Sequence, residues 1–220
     1  MNIGIIGLGY VGVTTMLSFA QQGFRVFGVD INLRIINKLS QDELPFYEKN
    51  LQPLLEKYSK NINFYSDISK ISEDLDIVFI CVGTPKGRGK SLNLSQINNS
   101  LKQIKKKYSK NRKPIHISLR STIPVGTMSK IKNYLSNQKD SFILSYNPEF
   151  LREGNALNDI KNPEVIVVGY ENDKVKKIYK TLYKKNIKKI HFVPFKESEL
   201  IKSTNNAWHA LKVCFANEAY

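Results

Sequence analysis

Short apolar runs alternate with amphipathic segments from the first residues of the chain almost to the last. The apolar runs predict strands over 2–6, 25–29, 61–64, 77–82, 115–119, 142–145, 165–168 and 189–193. The segments between them predict helices over 11–22, 33–40, 50–60, 94–107, 126–137 and 174–184. Strands alternating with helices imply βαβ units, and so an α/β fold with a doubly wound, mainly parallel, Rossmann-type sheet. A last helix starts near Glu197, with Leu200, Ile201, Thr204, Trp208, Leu211 and Phe215 on a mainly apolar face. It is still amphipathic at Phe215 and Ala216 and meets no capping or breaking signal, so it reads as the truncated start of a long central helix. The expected division is a Rossmann domain over 1–195 and the start of that dimerisation or linker helix over 196–220. Neither an internal repeat nor a long linker interrupts the alternation.

Composition narrows this picture without redirecting it. At 220 residues, 41% hydrophobic and 24% charged, the chain can bury a sizeable core and resembles ordinary soluble proteins. Its apolar runs fall short of the roughly 20 residues that span a bilayer. The first residues run straight into a strand, with no basic region ahead of a long apolar core, so no signal peptide is expected. The two cysteines, Cys81 and Cys214, form neither a metal-ligand spacing nor a disulfide framework. A reducing cytoplasm is the expected location, and each cysteine reads as a small core residue. A net charge of +15 invites a nucleic-acid partner. The lysines, however, fill the positions between Val175, Ile178, Tyr179, Leu182 and Tyr183, and the run 102–113 does the same around Ile97, Leu101, Ile104 and Tyr108. Those are solvated helix faces, so neither nucleic acid nor membrane is an expected partner. The positive field favours an anionic cofactor and substrate.

The sharpest chemical signal is Gly7-Leu8-Gly9-Tyr10-Val11-Gly12, which follows a predicted strand and opens a helix. Gly7 permits a tight turn, Gly9 lets the backbone approach a pyrophosphate, and Gly12 allows close helix–strand packing. The helix N-terminus adds unpaired N–H groups and a positive dipole end. The next predicted strand ends in Asp30, near the distance expected of the acid that binds the adenosine ribose hydroxyls. A carboxylate there repels a 2′-phosphate, so the expected cofactor is NAD, although the nearby Arg34 could pair with a phosphate. Thr84, in Cys81-Val82-Gly83-Thr84-Pro85, and Thr122, in Ser121-Thr122-Ile123-Pro124, close two further strands near the same edge. An ordinary strand-ending turn remains open for the first of these. Asn147-Pro148-Glu149-Phe150-Leu151-Arg152-Glu153-Gly154 carries two carboxylates four residues apart, on one face if the stretch is a helical turn. Its alternative is a plain surface turn. On the last helix, Lys202, Asn206 and His209 make a polar line at i, i+4 and i+7, as in a pocket wall.

These segments, in this order, resemble the UDP-glucose/GDP-mannose 6-dehydrogenase family, the matching pieces being GLGYVG, Asp30, VGTP, RSTIPVGT, NPEFLREG and ESELIKSTNNAWHALKVCFANE. His209 with its Trp-His-Ala-Leu-Lys context, and Arg120, look like the GDP-mannose branch. The Pro-Val-Gly-Thr turn and Glu153-Gly154 look like the UDP-glucose branch, and the balance leans to GDP-mannose. The resemblance implies oxidation of a sugar C6 alcohol to a carboxylate with two NAD in sequence, by an enzyme that is a homodimer at full length. It implies NAD contacts from Tyr10, Val11, Asp30, Arg34, Thr84 and Thr122, although the family's basic residue could align one position later, at Ile35. It places Glu149 and Glu153 at the reacting sugar, with Glu153 the better proton-transfer group in thioester hydrolysis and Thr122 holding the attacking water. Lys202 would stabilise charge on the C6 oxygen, Asn206 would orient the sugar, and His209 would help hold the substrate; no metal is implied.

The resemblance also implies a nucleophilic cysteine downstream of the Lys202 helix and a second nucleotide-binding domain, neither of which these residues supply. The expectation is the NAD-binding half of such an enzyme, inactive alone. The alternatives are a non-catalytic NAD-binding or partner-binding remnant, and a β-hydroxyacid dehydrogenase, which shares the Rossmann start and a helix-borne lysine.

Overall fold

Because successive strand residues point to opposite faces, runs that are apolar at every position must be covered on both sides. The computed structural model describes residues 1–87, 89, 91–109, 111 and 113–219, without the side chains of 139 and 140. Strands β1 (Asn2–Ile6), β2 (Arg25–Val29), β3 (Ile62–Tyr65), β4 (Ile77–Ile80), β5 (Ile115–Leu119), β6 (Phe142–Tyr146), β7 (Ile166–Tyr170) and β8 (Ile190–Val193) form one sheet. Their order is β3-β2-β1-β4-β5-β6-β7-β8. The helices are α1 (Tyr10–Ala20), α2 (Leu33–Ser40), α3 (Gln52–Tyr58), α4 (Ser95–Tyr108), α5 (Thr127–Leu135), α6 (Ala156–Lys161), α7 (Lys174–Leu182) and α8 (Phe195–Glu218). Ile6, Val78, Ile80, Ile117 and Leu119 pack on one face against Ile97, Leu101 and Ile104 of α4 and Met128 and Ile131 of α5. Ile3, Ile5, Ile77 and Phe79 pack on the other against Val13, Met16 and Leu17 of α1 and Leu55 of α3. Each such side chain contributes about 1.5–3 kcal/mol on full burial. This is the doubly wound arrangement expected.

Every neighbouring pair is parallel except β6–β7, which meets antiparallel at only Ser145–Tyr170 and Tyr146–Gly169. The reversal lets α8 start beside the carboxyl ends of β5 and β6. There Ser198 sits so close to Gly169 that a Cβ on that glycine would lie 2.1 Å from its hydroxyl oxygen.

Three expectations change. The stretch Asn147–Gly154 is irregular rather than a helical turn: Pro148 brings no N–H, and Gly154 is left-handed at φ 82°. The predicted helix at 50 begins at Gln52 because Asn50 is itself left-handed, at φ 63°. The short α6 had no distinct pattern to announce it. The lysine-rich faces are outermost as expected, with Ile97, Leu101, Ile104, Tyr108, Val175, Tyr179 and Leu182 buried beneath them. Lys110 and Arg112 of the basic run, and Tyr220 at the end of the last helix, lie outside the described residues.

Beneath α7 a polar chain crosses the apolar interior. His116 Nε2 meets Ser145 Oγ at 2.7 Å, and the Tyr179 hydroxyl meets Ser145 Oγ at 3.0 Å and Ser118 Oγ at 2.6 Å. Burial pulls the His116 imidazole down from 6.5 to about 3. The unfolded chain therefore binds a proton that the folded chain refuses. Stability fully present above the unfolded value is lost as pH falls toward the folded one, by up to about 1.4 kcal/mol per pH unit. Urea unfolding between pH 7 and 4 should show His116→Gln losing stability less steeply than the parent; parallel curves would contradict this.

Candidate functional site at the carboxyl ends of the strands

The chain leaves β1, turns at Gly7 (φ 90°) and enters α1 at Tyr10. A Cβ on Gly7 would stand 2.8 Å from the Val82 amide nitrogen, and one on Gly12 only 1.8 Å from the Gly7 carbonyl oxygen. These absences let α1 press onto the turn. Gly9 differs: its backbone is extended (φ −75°), and a Cβ there would meet nothing within 4 Å. Asp30, just past β2, accepts the Leu8 N–H at 2.7 Å and the Asn32 N–H at 2.8 Å, which fixes the turn from the side.

Above the turn lies a cavity of about 680 Å³, lined among others by Gly7, Gly9, Tyr10, Val11, Asp30, Thr84 and Thr122. Gly12 lies beneath the turn as a packing residue. Arg34 is exposed and absent from the lining, where Ile35 stands instead. The Thr84 hydroxyl donates to the Thr122 carbonyl at 3.0 Å, and Ser121 Oγ donates to the Val82 carbonyl at 2.6 Å, so the two strand-ending turns hold each other.

A second cavity of about 350 Å³ adjoins the first, and Arg120 and Glu149 line both. Lys202, only 4% exposed, donates to the Glu149 carbonyl and to its Oε1 at 3.0 Å. His209 lines the second cavity, but Asn205 rather than Asn206 joins it there. Asn206 is exposed, as is Glu153, which lines neither cavity. Glu149 and Glu153 are thus not paired: one is held by Lys202, and the other stands at the turn before Gly154. Cys81 lies against the first cavity, buried, its thiol pushed up to about 12 by desolvation. Cys214 is exposed on α8, not in a core as the sequence suggested, because that part of α8 extends past the sheet.

Three residues that hold the site together, Arg120, Glu199 and Glu48, have a structural role that the sequence did not assign to them. Arg120 Nη1 donates to Asn147 Oδ1 at 2.6 Å and to the Tyr183 hydroxyl at 3.2 Å, gripping the start of the Glu149 segment. Glu199 is fully buried and accepts the Gly126 and Met128 N–H groups at 2.6 and 2.7 Å. It thereby caps α5 and, one turn before Lys202, fixes α8. Its spacing of three from Lys202 was the one available hint. Glu48, 4% exposed, accepts the Tyr10 hydroxyl at 2.7 Å and the amides of Gly154 and Ala156 at 2.9 and 3.1 Å.

Residues 1–187 match the sequence model of the UDP-glucose/GDP-mannose dehydrogenase family, NAD binding domain. The chain belongs to this family. NAD is accordingly its cofactor, and the open backbone above Gly9, ringed by amides of the first helical turn, fits a pyrophosphate. The family match also displaces the β-hydroxyacid dehydrogenase reading.

An uncharacterized protein of Methanocaldococcus jannaschii is 37% identical over 99% of the chain, which spans 25% of that protein. UDP-glucose 6-dehydrogenase YwqF of Bacillus subtilis is 33% identical over 99% of the chain and 50% of the relative. The crystal structure of a ternary complex of GDP-mannose dehydrogenase from Pseudomonas aeruginosa superposes with a TM-score of 0.93, at 31% identity over 99% of the chain and 52% of that protein. The chain therefore spans between a quarter and about half the length of these relatives. Both nucleotide-sugars occur among their names, so similarity does not separate the two branches.

Two glycine substitutions should part stability from binding. Gly12→Ala should cost about 1–3 kcal/mol or more in urea unfolding, as overpacking does. Gly9→Ala should leave stability within about 0.5 kcal/mol and weaken NAD about tenfold or more in calorimetry. Equal effects at the two positions would contradict the roles given them.

Proposed function

We propose that the chain is the NAD-binding half of a nucleotide-sugar 6-dehydrogenase, which oxidises the C6 alcohol of GDP-mannose or UDP-glucose to the carboxylate. One observation carries the reading. A buried ammonium, Lys202, stands against Glu149, and that glutamate belongs to both the dinucleotide cavity and its neighbour. A sugar alcohol in the second cavity would thus meet a carboxylate at the cofactor's border, with the Lys202 ammonium directly behind it, in the lining of neither cavity. Bound NAD supplies the hydride acceptor. Lys202 stabilises negative charge building on the C6 oxygen, the kind of preorganised contact that often dominates a rate enhancement. Glu149 and Glu153 serve proton transfer, the latter once substrate draws its turn inward, and Thr122 holds the water that attacks the acyl group. His209 holds the sugar from the wall it lines, and Asn206, exposed beside the lining residue Asn205, orients the part of the substrate that projects from the cavity. Arg120 and His209 incline the choice to GDP-mannose.

Neither cysteine suits the covalent step that the family resemblance implies. Cys81 is a desolvated, protonated thiol, and Cys214 is exposed on α8, two turns past Asn206. In this reading the 220-residue polypeptide binds NAD but does not complete the oxidation. The helix from 196 onward links to the rest of the enzyme and receives a second copy on its exposed Trp208, Leu211 and Phe215.

Amide chemical shifts test this. NAD should move the signals of Gly9, Thr84 and Thr122, and GDP-mannose or UDP-glucose added afterwards should move those of 147–153, with no steady rise at 340 nm. Silence at the first group, or sustained NADH formation, would overturn the proposal. Iodoacetamide at pH 8 should label Cys214 quickly and leave Cys81 unmodified in the folded protein; rapid labelling of Cys81 would contradict its assignment as a protected thiol.

A further inference from the structure

Glu48 is a buried carboxylate to which no cation is paired among the described residues. Its oxygens are satisfied instead by three donors from two distant parts of the chain. One is the Tyr10 hydroxyl, whose residue opens α1 and walls the dinucleotide cavity. The other two are the amides of Gly154 and Ala156, immediately after Glu153. The Tyr10 hydroxyl also reaches the Arg152 carbonyl at 3.4 Å, and the Tyr10 ring lies 5.1 Å from that of Phe46, two residues before Glu48. Few rearrangements are open to this knot. A carboxylate 4% exposed, at the edge of a small open cavity, that loses one donor gives up a hydrogen bond that solvent replaces only in part. Tyr10, Glu48 and the 152–156 turn therefore hold or release together.

We propose that Glu48 is a positioning residue that transmits occupancy of the dinucleotide cavity to the turn carrying Glu153. A dinucleotide packed against Tyr10 restrains its ring and keeps the hydroxyl on Glu48. Glu48 in turn keeps the Gly154 and Ala156 amides in place, and with them the left-handed Gly154 that sets the direction of Glu153. The cofactor then fixes the Gly154 and Ala156 anchor from which substrate draws Glu153 inward. This rests on the functional reading above for the role of Glu153, and on the cavity alone for the coupling.

Hydrogen exchange of the 220-residue chain at saturating NAD tests it. In the parent, NAD should slow exchange of the Gly154 and Ala156 amides about fivefold or more, the ratio expected for reinforcing a hydrogen bond worth about 1 kcal/mol. In Glu48→Gln, which turns an acceptor into a donor facing those amides, and in Tyr10→Phe, which removes only the hydroxyl, that NAD-linked slowing should fall below about twofold. Exchange in β1 and β4 should still report folded protein. The two variants cover one another if Glu48→Gln destabilises the fold. NAD binding with no slowing at these amides, or slowing retained in the variants, would overturn this inference and leave the functional reading standing. Failure of the parent to bind NAD would overturn both.

Discussion

The carbonyl oxygen of Gly7 occupies the space that any side chain at position 12 would need. That contact presses α1 onto the end of β1, and the rest of the site is built outward from it. With α1 so close, the first-turn amides face a cavity instead of the sheet. Asp30 can reach across to the Leu8 N–H, and the turns after β4 and β5 complete the wall with Thr84 and Thr122. A methyl group at position 12 would shift α1, and with it Tyr10, the residue through which the cofactor cavity meets the Glu48 knot.

A second theme is the handling of buried charge. Lys202 and Glu149 neutralise one another, whereas Glu48 and Glu199 are satisfied by backbone amides and a phenol. A buried carboxylate held by several N–H donors is fixed in direction as well as charge, so each of these residues locks two segments distant in sequence. Glu199 sets α8 against α5 and thereby the height of Lys202 above the sheet. Arg120, Asn147 and Tyr183 set the start of the Glu149 segment from the other side. Glu149 and Glu153 sit on irregular chain, and the residues that hold that chain come from α8, from the end of β5 and from the segment before α3.

The fold was legible because its determinants are local. Ile3, Ile5, Ile77 and Phe79 announce covered strands, and Gly7, Gly9 and Gly12 announce the turn by spacing alone. The Asn147–Gly154 segment was not legible, because its shape is decided by Glu48, 106 residues from Gly154, and by Lys202, 53 residues from Glu149. Neither contact leaves a periodicity. The same limit explains Arg34 and Ile35: the helix phase that turns Ile35 toward the cavity depends on where α2 starts, after Asn32 caps it through the Arg34 amide. Cys214 was misjudged because a helix that leaves the sheet keeps its amphipathic pattern without a core to bury it.

Asp30 both braces the glycine turn and lines the first cavity, where the proposed reading places the adenosine ribose. Each of its oxygens spends one lone pair on an amide and keeps another for a ribose hydroxyl. The same charge repels a phosphate esterified there. Isothermal titration of the chain with NAD and with NADP measures that balance directly. The account predicts NAD tighter by about tenfold or more, a difference of about 1.4 kcal/mol. Equal affinity for the two, or preference for NADP, would contradict it.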